Sequence, residues 1–277
     1  MPVAQQPDLL KDDFELQATP YPSMKQAFIL GGALFLTGLI THVLILIGTS
    51  YLSFLFIRIL YLLDVMLPVA LLALYLNIQR QKRNEAPLPL TIPQGNNLWM
   101  LLIIVPALYV VVSILSYFCD VSDFDWTGYG YSSQHPFIYC IIFVFLVPAL
   151  QEFVFRGIML EALLKRYPVN KALGAITLIA AFCRLYPTSI LLYLPISFFL
   201  AWLYYRSRSL IFTYISNAML SIITLTISMS EKNNINILRE LTQTAGFLPV
   251  LATAVILLAV MIIFFNRDII DSNNKIN

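Results

Sequence analysis

The stretch of sequence that decides the fold is residues 150–157, which read LQEFVFRG. It places the carboxamide of Gln151, the carboxylate of Glu152 and the guanidinium of Arg156 inside an apolar run that covers residues 136–164. A charged side chain at the centre of a membrane-spanning helix costs about 2.5–3.5 kcal/mol on insertion scales, so such residues are candidates for a functional role. Residues 150–157 are therefore the first candidates for a functional site within the membrane.

The composition is that of a membrane protein. Of the 277 residues, 59% are hydrophobic and 12% are charged, and the mean hydropathy is +0.79. Soluble domains contain about 45–50% apolar and about 25% charged residues. We therefore expect the lipid bilayer as a partner. The net charge of +2, without a basic run interleaved with aromatic residues, excludes nucleic acid as a partner class.

The apolar runs predict an all-α, polytopic bundle of about eight transmembrane helices, because a spanning helix needs about 20 apolar residues. The fifth and sixth segments are short, and the fourth is expected to continue as one helix to Lys165. The predicted segments are 26–48, 51–76, 98–118, 137–160, 172–185, 190–205, 210–228 and 247–265.

Basic residues alternate with the segments in the way that the positive-inside rule requires. With both termini in the cytoplasm, the cytoplasmic side would hold Lys11, Lys25, Arg80, Lys82, Arg83, Lys165, Arg166, Lys171, Arg206, Arg208, Arg267 and Lys275. Only Lys232 and Arg239 fall on the other side. No secretory signal pattern precedes the first segment. We divide the chain into a polar N-terminal segment (1–25), N-terminal helices (26–136), a core (137–229) and a last loop, helix and tail (230–277).

Five charged residues fall within the predicted spans, and two of them can pair on one helix. Glu152 and Arg156 are four residues apart and share a helical face. Gln151 points about 100° away from Glu152, so the two side chains are expected to serve different partners. Arg58, Asp64 and Arg184 are the other three.

Metal and thiol chemistry are not expected. Cys119, Cys140 and Cys183 are scattered and form no CxxC pair, and His42 and His135 lie far apart without an acidic neighbour. We therefore predict no metal and no cofactor. Serines of the seventh span have no histidine near in sequence, and such residues usually bond their own backbone or pack helices.

The motif around Arg156 resembles the first motif of the CAAX-protease and bacteriocin-processing (CPBP) family, which includes the CAAX endopeptidases and the Abi proteins. That motif is Glu-Glu-x-x-x-Arg, often with Phe before and Gly after the Arg. The second family motif, Phe-x-x-x-His, matches the place of residues 182–186, and the third, His-x-x-x-Asn, matches residues 217–221 after an Arg-x-x-Ser-Leu-like turn at 206–210. The resemblance covers roughly residues 137–224 and implies a CAAX-protease-like core.

The departures from the family all fall on its catalytic positions, which are Gln151, Tyr186, Asn217 and Ser221 here. By resemblance, the first Glu activates water, and the two His and the Asn position polar groups, or a metal, at the developing oxyanion. Glutamine cannot act as a base at neutral pH. The matching residues that remain are Glu152, Arg156 and Phe182, which are expected to pack helices and support the site, with Arg184 beside them.

Three functional interpretations follow. The first is a non-catalytic pseudoprotease that binds a peptide, a prenylated tail or a partner helix. The second is an active intramembrane endopeptidase in which Glu152 is the base and Tyr186, Asn217 and Ser221 are donors. The third is a membrane carrier or structural partner whose ions, among them Arg58 and Asp64, line a path.

Overall fold

The computed structural model describes residues 20–48, 54–85, 87–90, 98–118, 141–183, 187–232 and 247–274. These ranges form helices and contain no strand, which confirms the all-α class. The helices are α1 (Met24–Gly48), α2 (Phe54–Lys82), α3 (Leu98–Phe118), α4 (Ile141–Arg166), α5 (Val169–Phe182), α6 (Pro187–Ser207), α7 (Leu210–Lys232) and α8 (Phe247–Asn274).

Several helices are suited to a membrane. Within the described ranges, three stretches are long and apolar enough to cross one: Met24–Ile45, Ile141–Arg166 and Leu210–Ile227. Shorter apolar helices add to these, and α5, with 14 residues, extends about 21 Å, which is less than the hydrocarbon thickness of about 30 Å. The chain is an integral membrane protein, whereas the expected number of eight crossings stays a prediction.

Helix α4 runs without a break to Arg166, as expected, but its winding changes along its length. It is π-helical over Ile141–Leu146 and Phe153–Leu160, and α-helical over Val147–Glu152 and Glu161–Arg166. Pro148 has no N–H to donate to the carbonyl four residues earlier, which disturbs the α-helical ladder at the first of these changes. The second π-helical stretch begins directly after Glu152, and π-helical turns within helices are often found at functional sites.

Helix α4 lies at the centre of the bundle and α1 lies at its edge. Helix α4 packs against α2, α5, α6 and α7, and α1 packs against α2 and α5. From Val154 to Leu160 every residue of α4 is buried. The outward side of α1 is apolar and exposed, as at Ile29 and Leu44, which suits contact with lipid chains. The residues of the 150–157 stretch are thus placed where several helices meet.

Contacts between the connections bring the ends of several helices together. The Tyr21 amide donates to the Glu85 carboxylate, 3.1 Å away, and the Met24 amide donates to the Tyr167 hydroxyl at 3.2 Å. The Leu210 amide donates to the carbonyl of Pro89 at 3.1 Å. The N-terminal segment and the connections after α2, α4 and α6 therefore share one end of the bundle. These are the connections in which the sequence concentrates its basic residues.

A close approach between α1 and α5 depends on a residue without a side chain. A Cβ placed on Gly31 would lie 2.5 Å from Cγ2 of Ile179, which is nearer than real Cβ atoms come. Ile179 is β-branched and therefore stiff at χ1, so it cannot easily move aside. The neighbouring Gly32 has open space around the same position.

Replacing Gly31 with Ala should destabilise the protein by about 1–3 kcal/mol, because overpacking forces the two helices apart. Gly32→Ala is the matched control and should leave stability unchanged or slightly raised. The measurement is the thermal unfolding midpoint of the purified protein in detergent. Adding Ile179→Ala to Gly31→Ala should recover part of the loss, and equal effects of the two glycine substitutions would contradict this packing.

Candidate functional site

The centre of the site is an ion pair sealed inside the bundle. Nη1 of Arg156 lies 3.1 Å from Oε1 of Glu152, and the two side chains are 0% and 1% exposed. The spacing of four residues along α4 places both on one side of the helix, as the sequence predicted. A buried charge is tolerated only when it is paired and hydrogen-bonded, so each group depends on the other.

The pair reaches α6 through the arginine. Nη2 of Arg156 donates to the Ser197 carbonyl oxygen at 3.2 Å and to the Ser197 hydroxyl oxygen at 3.3 Å. Ser197 is itself fully buried. The guanidinium carries five donors in a fixed fork, which allows it to bind the carboxylate on one side and α6 on the other.

The pair reaches α7 through the glutamate. Nδ2 of Asn217 donates to Oε1 of Glu152 at 2.8 Å, and Asn217 is 5% exposed. The carboxylate therefore faces Asn217, at a third-motif position, as well as Arg156. An ionised carboxylate can accept about four hydrogen bonds, so Arg156 on its own helix does not exhaust it and a donor from α7 is accommodated.

Two further predicted site residues lie near this network in sequence but make different contacts. The Ser221 hydroxyl donates to the Asn217 carbonyl oxygen at 3.0 Å, which is a bond within α7. Gln151 is half-buried, and its side chain makes no hydrogen bond in the part of the chain that the structure describes. No contact among the described residues joins Gln151 to Asn217 or Ser221, although all three were expected around one site.

Of the remaining predicted residues, the structure describes the side chain of Phe182 but not those of the others. Phe182 is 54% exposed at the end of α5, so the expectation that it packs between helices is wrong. The last turn of α5 turns its ring outward, away from Ala180 and Ala181, which are buried. Tyr186 and Arg184 lie outside the described residues, as do the side chains of Arg58 and Asp64.

Ser197 is the residue that sequence reasoning missed. It is a hydroxyl residue within an apolar helix, and hydroxyls there usually bond their own backbone, as Ser216 does to the Phe212 carbonyl at 2.9 Å. Nothing in the sequence distinguishes Ser197 from Ser216 or Thr213. Only its contact with Arg156 distinguishes it, and that contact arises from the packing of α6 against α4.

The donor set is not that of a metal centre. Zinc in proteins is bound by Cys, His and carboxylate side chains. Glu152 is the one carboxylate in the described network, and it is engaged by Arg156 and Asn217. In the described ranges, no three His, Cys, Asp or Glu residues lie together. The amides of Gln151 and Asn217 are poor substitutes for the missing imidazoles.

The segment that builds this network has known relatives. Residues 133–223 match the family model described as type II CAAX prenyl endopeptidase Rce1-like. This segment is similar to that family, and we refer to it as the Rce1-like domain. It contains α4, α5 and α6 and most of α7, and it confirms the CAAX-protease resemblance inferred from the motifs. No curated protein and no solved structure matches the chain.

Replacing Arg156 with Met should strand the Glu152 carboxylate in an apolar interior. Removing one partner of a buried pair costs about 3–5 kcal/mol. The double substitution Glu152→Leu with Arg156→Met should recover much of that loss, because it removes both charges together. The comparison is made from unfolding midpoints of the purified proteins in detergent.

The neighbouring residue supplies the control for this series. Gln151 makes no hydrogen bond within the described part of the chain, so Gln151→Leu should change stability by no more than about 0.5 kcal/mol. If the double variant is as unstable as Arg156→Met alone, the loss does not come from a stranded charge, and the pair is not the source of stability.

Proposed function

We propose that this CAAX-protease-like membrane protein binds a peptide segment or prenylated tail within its Rce1-like domain and does not hydrolyse it. The observation that carries the proposal is the state of Glu152, the motif carboxylate. It accepts hydrogen bonds from Arg156 and Asn217 and has almost no exposed surface. Helix α4 thus keeps the carboxylate that holds the helices together, while the adjacent position, Gln151, lacks the base that hydrolysis would need.

General-base catalysis needs a basic group within hydrogen-bond reach of the water that it activates. In the family pattern, this role belongs to the first motif position, where this chain has Gln151. An amide has no lone pair that is basic at neutral pH. The adjacent Glu152 is basic in principle, but its neutralisation by Arg156 and its burial remove it from that role.

The half-buried amide of Gln151 suits recognition instead. It offers two donors and one acceptor, the same groups that a peptide bond uses, and it makes no hydrogen bond among the described residues. An amide side chain can therefore pair with the backbone of an extended peptide without reacting. A prenyl group or an apolar partner helix would add contact area with the surrounding helices.

Endopeptidase activity based on Glu152 is the second candidate, and one observation favours it. Asn217 stands at a third-motif position and contacts Glu152 directly at 2.8 Å, so the carboxylate does face a position that the family uses. To act, Glu152 would have to be released from Arg156, at the cost of a stranded charge. This cost makes binding without hydrolysis the better supported function.

The test offers the purified protein a fluorescent, farnesylated peptide with a C-terminal CAAX sequence, and follows binding by anisotropy and cleavage by mass spectrometry. Wild-type protein should bind the peptide and leave it intact. A variant that restores the family residues, Gln151→Glu with Tyr186→His and Asn217→His, should cleave at least about 100-fold faster, since a general base is worth about 10²–10⁴ in rate.

A second pair of variants tests binding without relying on the restored enzyme. Gln151→Ala should weaken peptide binding by up to about tenfold, the value of one or two hydrogen bonds. Ser221→Ala is the control and should bind as wild type, because its hydroxyl is used within α7. Cleavage by the wild type that Glu152→Gln abolishes would establish the second candidate, and absence of any binding by the wild type would overturn the first.

A further inference from the structure

The end of the bundle at which the N-terminal segment and the connections after α2, α4 and α6 meet carries an excess of positive charge. Two acidic side chains in the described part of these connections, Glu85 and Glu161, are already paired. Glu85 binds Arg80 at 3.5 Å and the Tyr21 amide at 3.1 Å. Glu161 binds Arg208 at 3.2 Å and Lys165 at 3.8 Å. The acids therefore do not neutralise the other basic residues there.

Five basic residues at this end take part in no salt bridge of the described chain. They form what we call the basic end: Lys25, Lys82, Arg166, Lys171 and Arg206. Three of them are exposed and two are half-buried. Arg206 is the most constrained, because its Nε atom is buried and has no hydrogen-bond partner among the described residues.

These cations lie in line with lipid-facing apolar side chains. On α1, Lys25 precedes the exposed Phe28 and Ile29 by three and four residues, so the three share one face. On α2, the exposed Ile78 lies four residues before Lys82 and shares its face. A cationic head at the end of an apolar strip extends toward the membrane interface.

The same arrangement recurs on the helices of the Rce1-like domain. Lys171 lies seven residues before the exposed Leu178 on α5, so both lie on one side of that helix. Arg206 lies eight residues after the exposed Phe198 on α6. A ligand at this end of the bundle would meet cations without a salt bridge and, next to them, apolar side chains. A phospholipid with a negatively charged headgroup has both matching parts.

We propose that the basic end is a binding surface for anionic phospholipid headgroups. The negatively charged phosphate, which has no choline cation beside it, would be held by Lys171, Arg166 and Arg206, while the acyl chains lie against the apolar outer faces of the same helices. The attraction falls off within a Debye length, so binding weakens as salt concentration rises. The surface adds to the peptide-binding function and does not depend on it.

Another candidate occupant is the chain's own N-terminal segment. Residues 1–19 contain Asp8, Asp12, Asp13 and Glu15 against a single Lys11, and Tyr21, two residues further along the chain, is bonded at this end. The lipid is favoured because the cations are aligned with lipid-facing side chains on separate helices. The experiment separates the two occupants.

The test uses native mass spectrometry of the full chain in a neutral detergent, with phosphatidylglycerol and phosphatidylcholine offered in equal amounts. Wild-type protein should retain phosphatidylglycerol preferentially. Lys171→Gln with Arg206→Gln should reduce that retention by at least about tenfold, because each cation near an anionic surface is worth about fivefold in affinity. Lys232→Gln with Arg239→Gln, at or beyond the opposite end of α7, is the matched control and should retain phosphatidylglycerol as wild type.

A final variant decides between the occupants. In the full chain, Asp8, Asp12 and Asp13 are changed to Asn and Glu15 to Gln. If only this variant prefers phosphatidylglycerol and the wild type does not, the N-terminal segment occupies the basic end and the lipid proposal is wrong. It is equally wrong if wild type retains both lipids equally, or if the double variant retains phosphatidylglycerol undiminished while circular dichroism shows normal helicity.

Discussion

The Glu152 carboxylate must be neutralised where it lies, and the core of the molecule is arranged around that requirement. A charge buried without partners would cost more than a marginally stable protein can tolerate. Arg156 supplies the opposite charge from the same helix, Ser197 binds the arginine from α6, and Asn217 binds the carboxylate from α7. One local ion pair thus becomes a connection among three helices of the Rce1-like domain. Apolar packing brings these helices together, but it fixes their rotation less strictly than hydrogen bonds do. Hydroxyl and amide groups must meet their partners at defined distances.

The same arrangement limits what the domain can do. One oxygen of the Glu152 carboxylate is bound by both Arg156 and Asn217, and the neighbouring position, at which the CAAX-protease family has its water-activating glutamate, holds Gln151. The chain therefore retains the helical framework and has an amide in place of a carboxylate at that position. A fold does not fix an activity, because function depends on the particular side chains that a framework carries. Binding of a peptide or prenylated tail is the function that this combination supports best.

Much of this could be predicted from the sequence, because local rules decide it. Long apolar runs gave helices at the predicted places, α4 continued to Arg166, and the spacing of Glu152 and Arg156 predicted their pairing. What could not be predicted depends on how helices are packed. The Asn217 bond to Glu152 and the role of Ser197 require contact between residues 65 and 41 positions apart. The π-helical winding after Glu152 and the exposure of Phe182 likewise have no signal in the periodicity of the sequence.

The contact between Asn217 and Glu152 is the interhelical bond on which the central claim depends, and a double-mutant cycle measures it most directly. Glu152→Leu and Asn217→Leu are made singly and together, and the unfolding free energies are compared in the same detergent. If the carboxylate ties α7 to α4, the two substitutions will be non-additive by about 0.5–3 kcal/mol. Additivity within about 0.3–0.5 kcal/mol would show that the two side chains do not interact, and would contradict the claim that Glu152 is committed to holding the helices together.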